Sequence, residues 1–465
     1  MKRTRVASLL VFAGIWLLVA GVGLSESFLT EWSDRSGAES LGKLVVNVDL
    51  SVDPAGRAGL TLPEADKLLQ KWGRSGYYSA RTVASVSGGD NKTEADVFGV
   101  GGRYDDFITF AMYRGSPLTL RSVEEHAAAV LISSSLADKL YRTRDVVGMP
   151  LQMMGITFKI VGVYEEAPSL LHRMTDNGRP DLLVPMTTLA DLNPQLRIMT
   201  LELAAGPGGS ITGEADASRA LAAIGKSPSR YKIVNLAAER NWIGQMPKLL
   251  LGAAGSLGIV LCAVLAAARI RHMANQLRRG LATEDWADVL RRYRRPIAAG
   301  TAACFVLSVC MVALWLTIRH RFYIPPKLIP DVLIDWTFYR DRWIEGWQRQ
   351  VADMGYVASA SELLYKRVHE LVGGFTFAGM LIGLPLLGIG LRYWALTGRA
   401  LDGILTRLAI YTCVAVALTA AAASLAGTGY TLRPQELLVF VVLPILAALA
   451  PHREHQQIRE RNEYT

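Results

Sequence analysis

Apolar residues fall along this chain in two distinct patterns. In the first, apolar positions run almost unbroken. About 20 such residues form a helix long enough to cross a bilayer, because about 30 Å of hydrocarbon is spanned at about 1.5 Å per residue. Six stretches fit, and they predict spans within 1–24, 247–268, 297–318, 371–391, 404–426 and 435–450. The last is the shortest and carries Pro444. The first follows "MKRTR" and ends in "GVGLSES", which also suits a secretory signal peptide.

The second pattern is the alternation of a folded α+β domain, and it occupies 25–246. "LVVNVDL" (44–50) reads as a strand, and "TLPEADKLLQKWG" (61–73) reads as a helix. Thr61 is its N-cap, Glu64 completes a capping box, Pro63 fits the first turn, and Leu68, Leu69 and Trp72 line one face. "YYSARTVASVS" (77–87) is the next strand. The same order returns as "RIMTLELA" (197–204), "GEADASRALAAIG" (213–225) and "YKIVNL" (231–236). Two β-α-β units bracketing one domain predict a ferredoxin-like α+β layer. Between them, about 95–190 reads as an inserted β-rich subdomain. It holds the strand "AAAVLIS", a helix 134–141 capped by Ser133 or Ser134, and a hairpin over 145–164. In that hairpin Gly148 and Pro150 mark a turn. Met153, Ile156, Phe158, Ile160 and Val163 then alternate with polar positions around Gly155.

Composition sharpens this picture. The chain is 51% hydrophobic with mean hydropathy +0.24 and net charge +9. The arginines sit beside the apolar runs, which points to cytoplasmic membrane loops rather than to nucleic acid. Lys2, Arg3 and Arg5 hold the N-terminus inside. The segment 269–296 carries eight arginines, Arg392, Arg399 and Arg407 flank another inner loop, and the tail 451–465 is read as inside. One alternating topology satisfies all of these. It puts both termini in the cytoplasm and 25–246 and 319–370 outside. All four cysteines (Cys262, Cys304, Cys310 and Cys413) lie in apolar runs, so the outer domain is not a disulfide scaffold.

Catalytic motifs are missing. "GGSITGEADAS" lacks the lysine-serine ending of a phosphate loop, and "FGVGG" reads as a turn. There is no HExxH, GxSxG or CxxC pattern, and "HREH" in the tail reads as solvated. The sequon at Asn91 matters only where secreted chains are glycosylated. No catalytic, metal-ligating or cofactor-binding residue is expected.

Three other features invite a function. After span two, Thr283 is a plausible N-cap, with Glu284 and Asp285 in a first turn and Arg291 and Arg292 in a last one. Trp286, Val289, Leu290 and Tyr293 then form an apolar stripe on a basic helix. It suits either anionic lipid headgroups or a partner protein. Gly379 and Gly383 have the GxxxG spacing that lets membrane helices approach, although glycine is common in such helices anyway. The segment 319–370 holds Phe322, Tyr323, Trp336, Phe338, Tyr339, Trp343 and Trp347. It reads as an interfacial aromatic belt, or as a lipid or peptide contact surface.

The succession "FGVGGRYDDFITFAMYRGSPLT", "AAVLISSSLADKLYRTRDVVGMPLQMMGITFKIVGVYEEAP" and "PDLLVPMTTL" resembles the extracytoplasmic core module of the MacB/FtsX-like ABC permeases. The resemblance implies a bacterial cell-membrane permease subunit, paired with itself or a relative. It also implies a separate ABC ATPase that touches the loop after span two. Within "ANQLRRGLAT" that places Arg278, Arg279 and Leu281 at the contact beside the stripe. The sequence departs from the family at Ala274, where a glutamate is usual, and at Ala282, where a glycine is usual. It also has two spans beyond the usual four. Those departures leave a membrane scaffold or signalling protein as the alternative, and a binding module for envelope polymers or peptides as a third.

Overall fold

The computed structural model describes residues 2–34, 42–108, 110–165, 169–175, 181–207, 209–282, 285–325, 329, 335–352, 360–396, 401–430 and 433–463. The chain forms two compact units. One comprises 1–29, 244–322 and 370–465, and the other 30–243 and 323–369.

The chain begins with helix α1 (Lys2–Asp34). In the second unit it continues through β1 (Lys43–Val48), α2 (Leu62–Trp72) and β2 (Gly76–Gly88). The capping box of α2 is formed: the Glu64 carboxylate accepts from the Thr61 backbone N–H at 2.9 Å. Gly73 closes the helix in the left-handed conformation that favours glycine. There follow β3 (Asn91–Gly102), β4 (Ala111–Gly115), α3 (Leu120–Glu124), β5 (Ala129–Ser133), α4 (Ser134–Tyr141), β6 (Pro150–Met153), β7 (Ile156–Glu165), α5 (Leu170–Thr175), β8 (Asp181–Pro185) and α6 (Met186–Leu192). The unit's main run ends with β9 (Thr200–Ala204), α7 (Gly209–Ala223), β10 (Tyr231–Asn235) and α8 (Leu236–Ile243).

The strands make one sheet in the order β10-β1-β9-β2-β3-β8-β5-β7-β4, with β6 pairing β2 and β7. Each neighbouring pair among its first four strands is antiparallel. They come from two β-α-β units, which is the ferredoxin-like layer that the repeated pattern predicts. Leu44, Val46, Leu201 and Leu203 on one face pack with Leu68 of α2 and Leu221 of α7. The inserted subdomain is not a separate body. β2 and β3 form one long hairpin, and β3 then pairs in parallel with β8. The expected hairpin is β6–β7, with Leu151, Met153, Phe158 and Ile160 in its core. Met154 and Gly155 both have positive φ, as a tight two-residue hairpin turn requires. Ser133 caps α4 by accepting from the Leu136 N–H. The sequon residue Asn91 donates its side-chain amide to the Leu140 carbonyl, so it serves the fold.

The opposite face of the four-stranded layer buries a polar row. Lys43 of β1 reaches Glu202 of β9 at 2.6 Å, and both are buried. Tyr77 of β2 lies opposite Glu202 in register. Burial, reinforced by the Glu202 charge, raises the Tyr77 hydroxyl far above its ordinary value. On the face packed against α2 and α7, burial and then Asp66 raise Tyr78, which donates to Asp66 at 2.8 Å. Burial and then Glu64 raise Tyr231 to about 12.

The sign of the resulting pH dependence follows. These tyrosines stay protonated in the folded chain at pH values where the unfolded chain ionises. Their contribution is complete below pH about 10 and declines as pH rises toward the folded values. Denaturant titrations of the full-length protein should show stability falling above pH about 10, by up to about 1.4 kcal/mol per pH unit for each such group. Tyr78→Phe should make the decline shallower. A decline of equal slope in that variant would remove Tyr78 from the account.

In the first unit, α9 (Met246–Leu281) and α10 (Trp286–Ile318) form an antiparallel pair. α11 (Trp336–Ala352) belongs to the second unit. α12 (Ala360–Ala378), a π-helical turn at Gly379–Gly383 and α13 (Leu384–Leu396) make one continuous rod. α14 (Leu401–Leu425) and α15 (Pro434–Glu463) follow. Among the described residues, five helices are long and apolar enough to cross a membrane, and Pro434–Leu449 is a shorter apolar helix. Their shared core includes Ile15, Leu18, Leu250, Leu387, Trp394 and Leu443.

Candidate coupling site on the inner helical hairpin

The basic segment after span two is helical almost throughout. α9 continues to Leu281, and α10 starts at Trp286 and runs on without interruption as the next apolar helix, with Pro296 inside it. Contacts to α9 on both sides of Pro296 explain why the helix does not end there. A Cβ at Gly280 would stand 3.0 Å from Val289 Cγ1 and 3.3 Å from Tyr293 Cε2. One at Gly300 would clash with Met273, one at Gly258 would stand 3.0 Å from Leu314, and one at Gly255 would clash with Ile318. Each glycine receives a large side chain from the facing helix in one antiparallel register. This zipper was not found from the sequence, because its glycines do not form a repeated spacing within either helix.

The zipper divides the predicted stripe. Val289 is fully buried against Gly280, and Tyr293 is half-buried beside it. Trp286, Leu290 and Leu281 are exposed at the tip, together with Arg278 and Arg279 in the last turn of α9. Asp285 is the N-cap of α10, and Asp288 lies in its first turn. Acids at a helix start and bases at a helix end both suit the backbone dipole. Thr283 and Glu284, expected as a cap and a first-turn acid, lie outside the described residues. The tip is therefore a short two-helix end with an exposed indole, two exposed leucines and a basic rim. It can dock another surface.

Gly379 and Gly383 lie elsewhere in the same unit, where the rod formed by α12 and α13 meets α1. Both are buried. A Cβ at Gly383 would stand 3.1 Å from Leu17 Cβ, and one at Gly379 would stand 3.1 Å from the Leu17 carbonyl oxygen. On α1, Gly14 approaches the backbone of Leu387.

The α+β unit offers a groove of about 470 Å³ between α2 and α7, lined by Lys71, Trp72, Arg74, Asp216 and Arg219. Arg74 stacks over the Trp72 ring at 5.5 Å, and Asp216 pairs with Arg219. No group of three or more metal-ligating side chains occurs among the described residues.

A family model described as the MacB-like periplasmic core domain matches residues 6–224. The chain is also similar to the extracellular domain of the noncanonic ABC-type transporter YknZ from Gram-positive bacteria. That match has 17% identity and a TM-score of 0.35, and covers 42% of this chain and 100% of that one. A second similar structure is the periplasmic region of MacB from Actinobacillus actinomycetemcomitans, with 14% identity and a TM-score of 0.36, covering 42% and 90%. No curated protein matches the chain. The match at 6–224 begins inside α1 and ends just after α7, so it takes in both β-α-β units except the final strand, together with the insert. The chain thus carries a MacB-like periplasmic core domain together with, among the described residues, five helices long and apolar enough to cross a membrane.

Proposed function

We propose that this chain is the transmembrane subunit of an ABC complex in which a separate cytoplasmic ATPase engages the α9–α10 tip and drives movement of the outer domain. The work done outside is export, extraction or envelope regulation. The observation that carries this reading is the MacB-like core domain directly behind a membrane-crossing helix. The basic tip, with Arg278, Arg279, Leu281, Trp286 and Leu290, supplies the docking chemistry, and Val289 and Tyr293 brace it from within. Arginine placement puts the tip and both chain termini in the cytoplasm, and 25–246 outside, in a bacterial cell membrane. The subunit acts as a homodimer or beside a related permease. Gly379 and Gly383 serve the packing of the spans.

The test is a tagged pull-down from membranes in mild detergent, followed by ATPase assays on the recovered complex. Trp286→Ala with Leu290→Ala should weaken ATPase retention at least tenfold, a loss of about 1.4 kcal/mol or more, while insertion and thermal stability are kept. Unaltered ATPase binding and activity in that double variant would refute the coupling role.

Ala274, Ala282 and the extra pair α14 and α15 favour a second reading, a membrane scaffold or signalling protein that retains the outer module. In that reading no ABC ATPase co-purifies. The cationic α2–α7 groove then becomes the place to test for anionic envelope polymers or peptides.

A further inference from the structure

α11 carries a row of indoles that other described residues leave open. Trp336, Trp343 and Trp347 are 80%, 75% and 66% exposed. At about 100° per residue the three fall within about 40° of one another around the helix axis. Tyr339 and Ile344 are also exposed and flank the indoles within an arc of about 140° that also holds Arg340. Asp335 fixes the start of the helix by accepting from the N–H groups of Thr337 and Phe338 at 3.0 and 3.2 Å.

The charged side chains are largely neutralised within the helix. Arg340 pairs with Asp341 and Arg342 with Glu345, both at 2.8 Å. Arg342 also covers Phe338, with its guanidinium 5.3 Å from the ring centroid, which removes that ring from the open face. A helix of 17 residues is about 25 Å long and too charged to cross a bilayer, and α11 is not among the membrane-crossing helices.

We infer that α11 is an in-plane helix that lays Trp336, Trp343 and Trp347 into the lipid headgroup boundary. Three observations select lipid as the occupant. The first is tether length. α11 follows the membrane-crossing helix α10, and only residues 353–359 separate it from α12, whose Glu362–Leu396 segment is apolar enough to cross. Seven residues reach at most about 25 Å, and the polar first turns of α12 up to Glu370 add about 16 Å, so the end of α11 stays within about 40 Å of the apolar stretch that begins at Leu371. The second is chemistry. Indole combines a large apolar body with one N–H donor, so it favours the depth where one edge is dry and the other wet. The third is charge. Among the described side chains of α11 both arginines are paired with acids, so a zwitterionic surface suffices. The consequence is a fixed contact between the segment joining two spans and the bilayer surface. The inference needs only that α10 and α12–α13 cross the membrane, and it stands whether or not an ATPase binds the inner tip.

The experiment uses the full-length protein reconstituted in phosphatidylcholine vesicles. The fluorescence of the protein is compared with that of a variant carrying W336F, W343F and W347F, so that the difference spectrum isolates the three indoles. Phenylalanine keeps the face apolar, and single W343F provides the same subtraction if the triple variant inserts poorly. Lipid brominated near the headgroup end of the acyl chain should quench the difference signal about twofold or more, and lipid brominated near the chain terminus should quench it less. Aqueous iodide should have little effect. Strong iodide quenching without bromolipid quenching would mean a solvated helix and overturn the inference. Resistance to both quenchers would mean cover by protein, in the same chain or another copy, and would overturn it equally.

Discussion

Gly14→Leu is expected to prevent α1 from seating against the rod formed by α12 and α13. A Cβ at this position would lie 2.6 Å from the Leu387 amide nitrogen, 2.9 Å from the Leu387 Cα and 2.9 Å from the Gly383 carbonyl oxygen. All three neighbours are backbone, so no side chain can rotate away to make room. Overpacking a well-filled core costs about 1–3 kcal/mol, and a whole isobutyl group against main chain should reach or exceed the top of that range. In a membrane unit the loss matters more, because helices associate there by close packing without a hydrophobic drive between them. Heat-induced loss of monodisperse protein in mild detergent measures it. Gly388→Ala is the control, because a Cβ there meets nothing within 4 Å. That variant should melt like the parent or slightly higher. Parental melting of Gly14→Leu would show that α1 does not approach the rod in this way.

Glu202→Ala should be the most damaging single change in the outer domain. It leaves the Lys43 ammonium buried in the sheet, where among the described residues it keeps the Phe107 carbonyl, at 3.3 Å, as a hydrogen-bond acceptor. Breaking a buried ion pair from one side costs about 3–5 kcal/mol, mostly the penalty of the stranded charge. Replacing both partners by methionine removes that charge, and should recover most of the loss because the row is otherwise walled by Tyr77, Phe107 and Ala204. Urea unfolding of Lys43→Met, Glu202→Met and the double methionine variant gives the coupling energy directly. Additive losses would mean that Lys43 and Glu202 do not act as a pair.

Much of the architecture was legible in the residues. The long apolar runs and the repeated strand-helix-strand order are local patterns, and local patterns fix element type because side-chain periodicity matches backbone geometry. The capping box at Thr61 and the hairpin at Gly155 were readable for the same reason. The buried Lys43 was not legible. In sequence it is a polar residue at the edge of an apolar strand, and only the antiparallel register of β1 and β9 brings Glu202 within reach. Nor did the sequence reveal that the insert joins the layer in one sheet, since strand neighbours are a property of the whole fold.

The apolar stripe at the start of α10 shows the same division at a finer scale. Its spacing put Trp286, Val289, Leu290 and Tyr293 on one helical face, and nothing in that spacing says which members point at a neighbour. Gly280 on the facing helix decides it. The missing Cβ admits Val289 and Tyr293 and leaves Trp286 and Leu290 outside. By itself the sequence determined which segments are helix, strand or apolar rod, because those follow from residues near one another in the chain. The tertiary structure alone decided which faces close on glycine gaps and which charges meet across the sheet. Those depend on residues distant in sequence that only packing brings together.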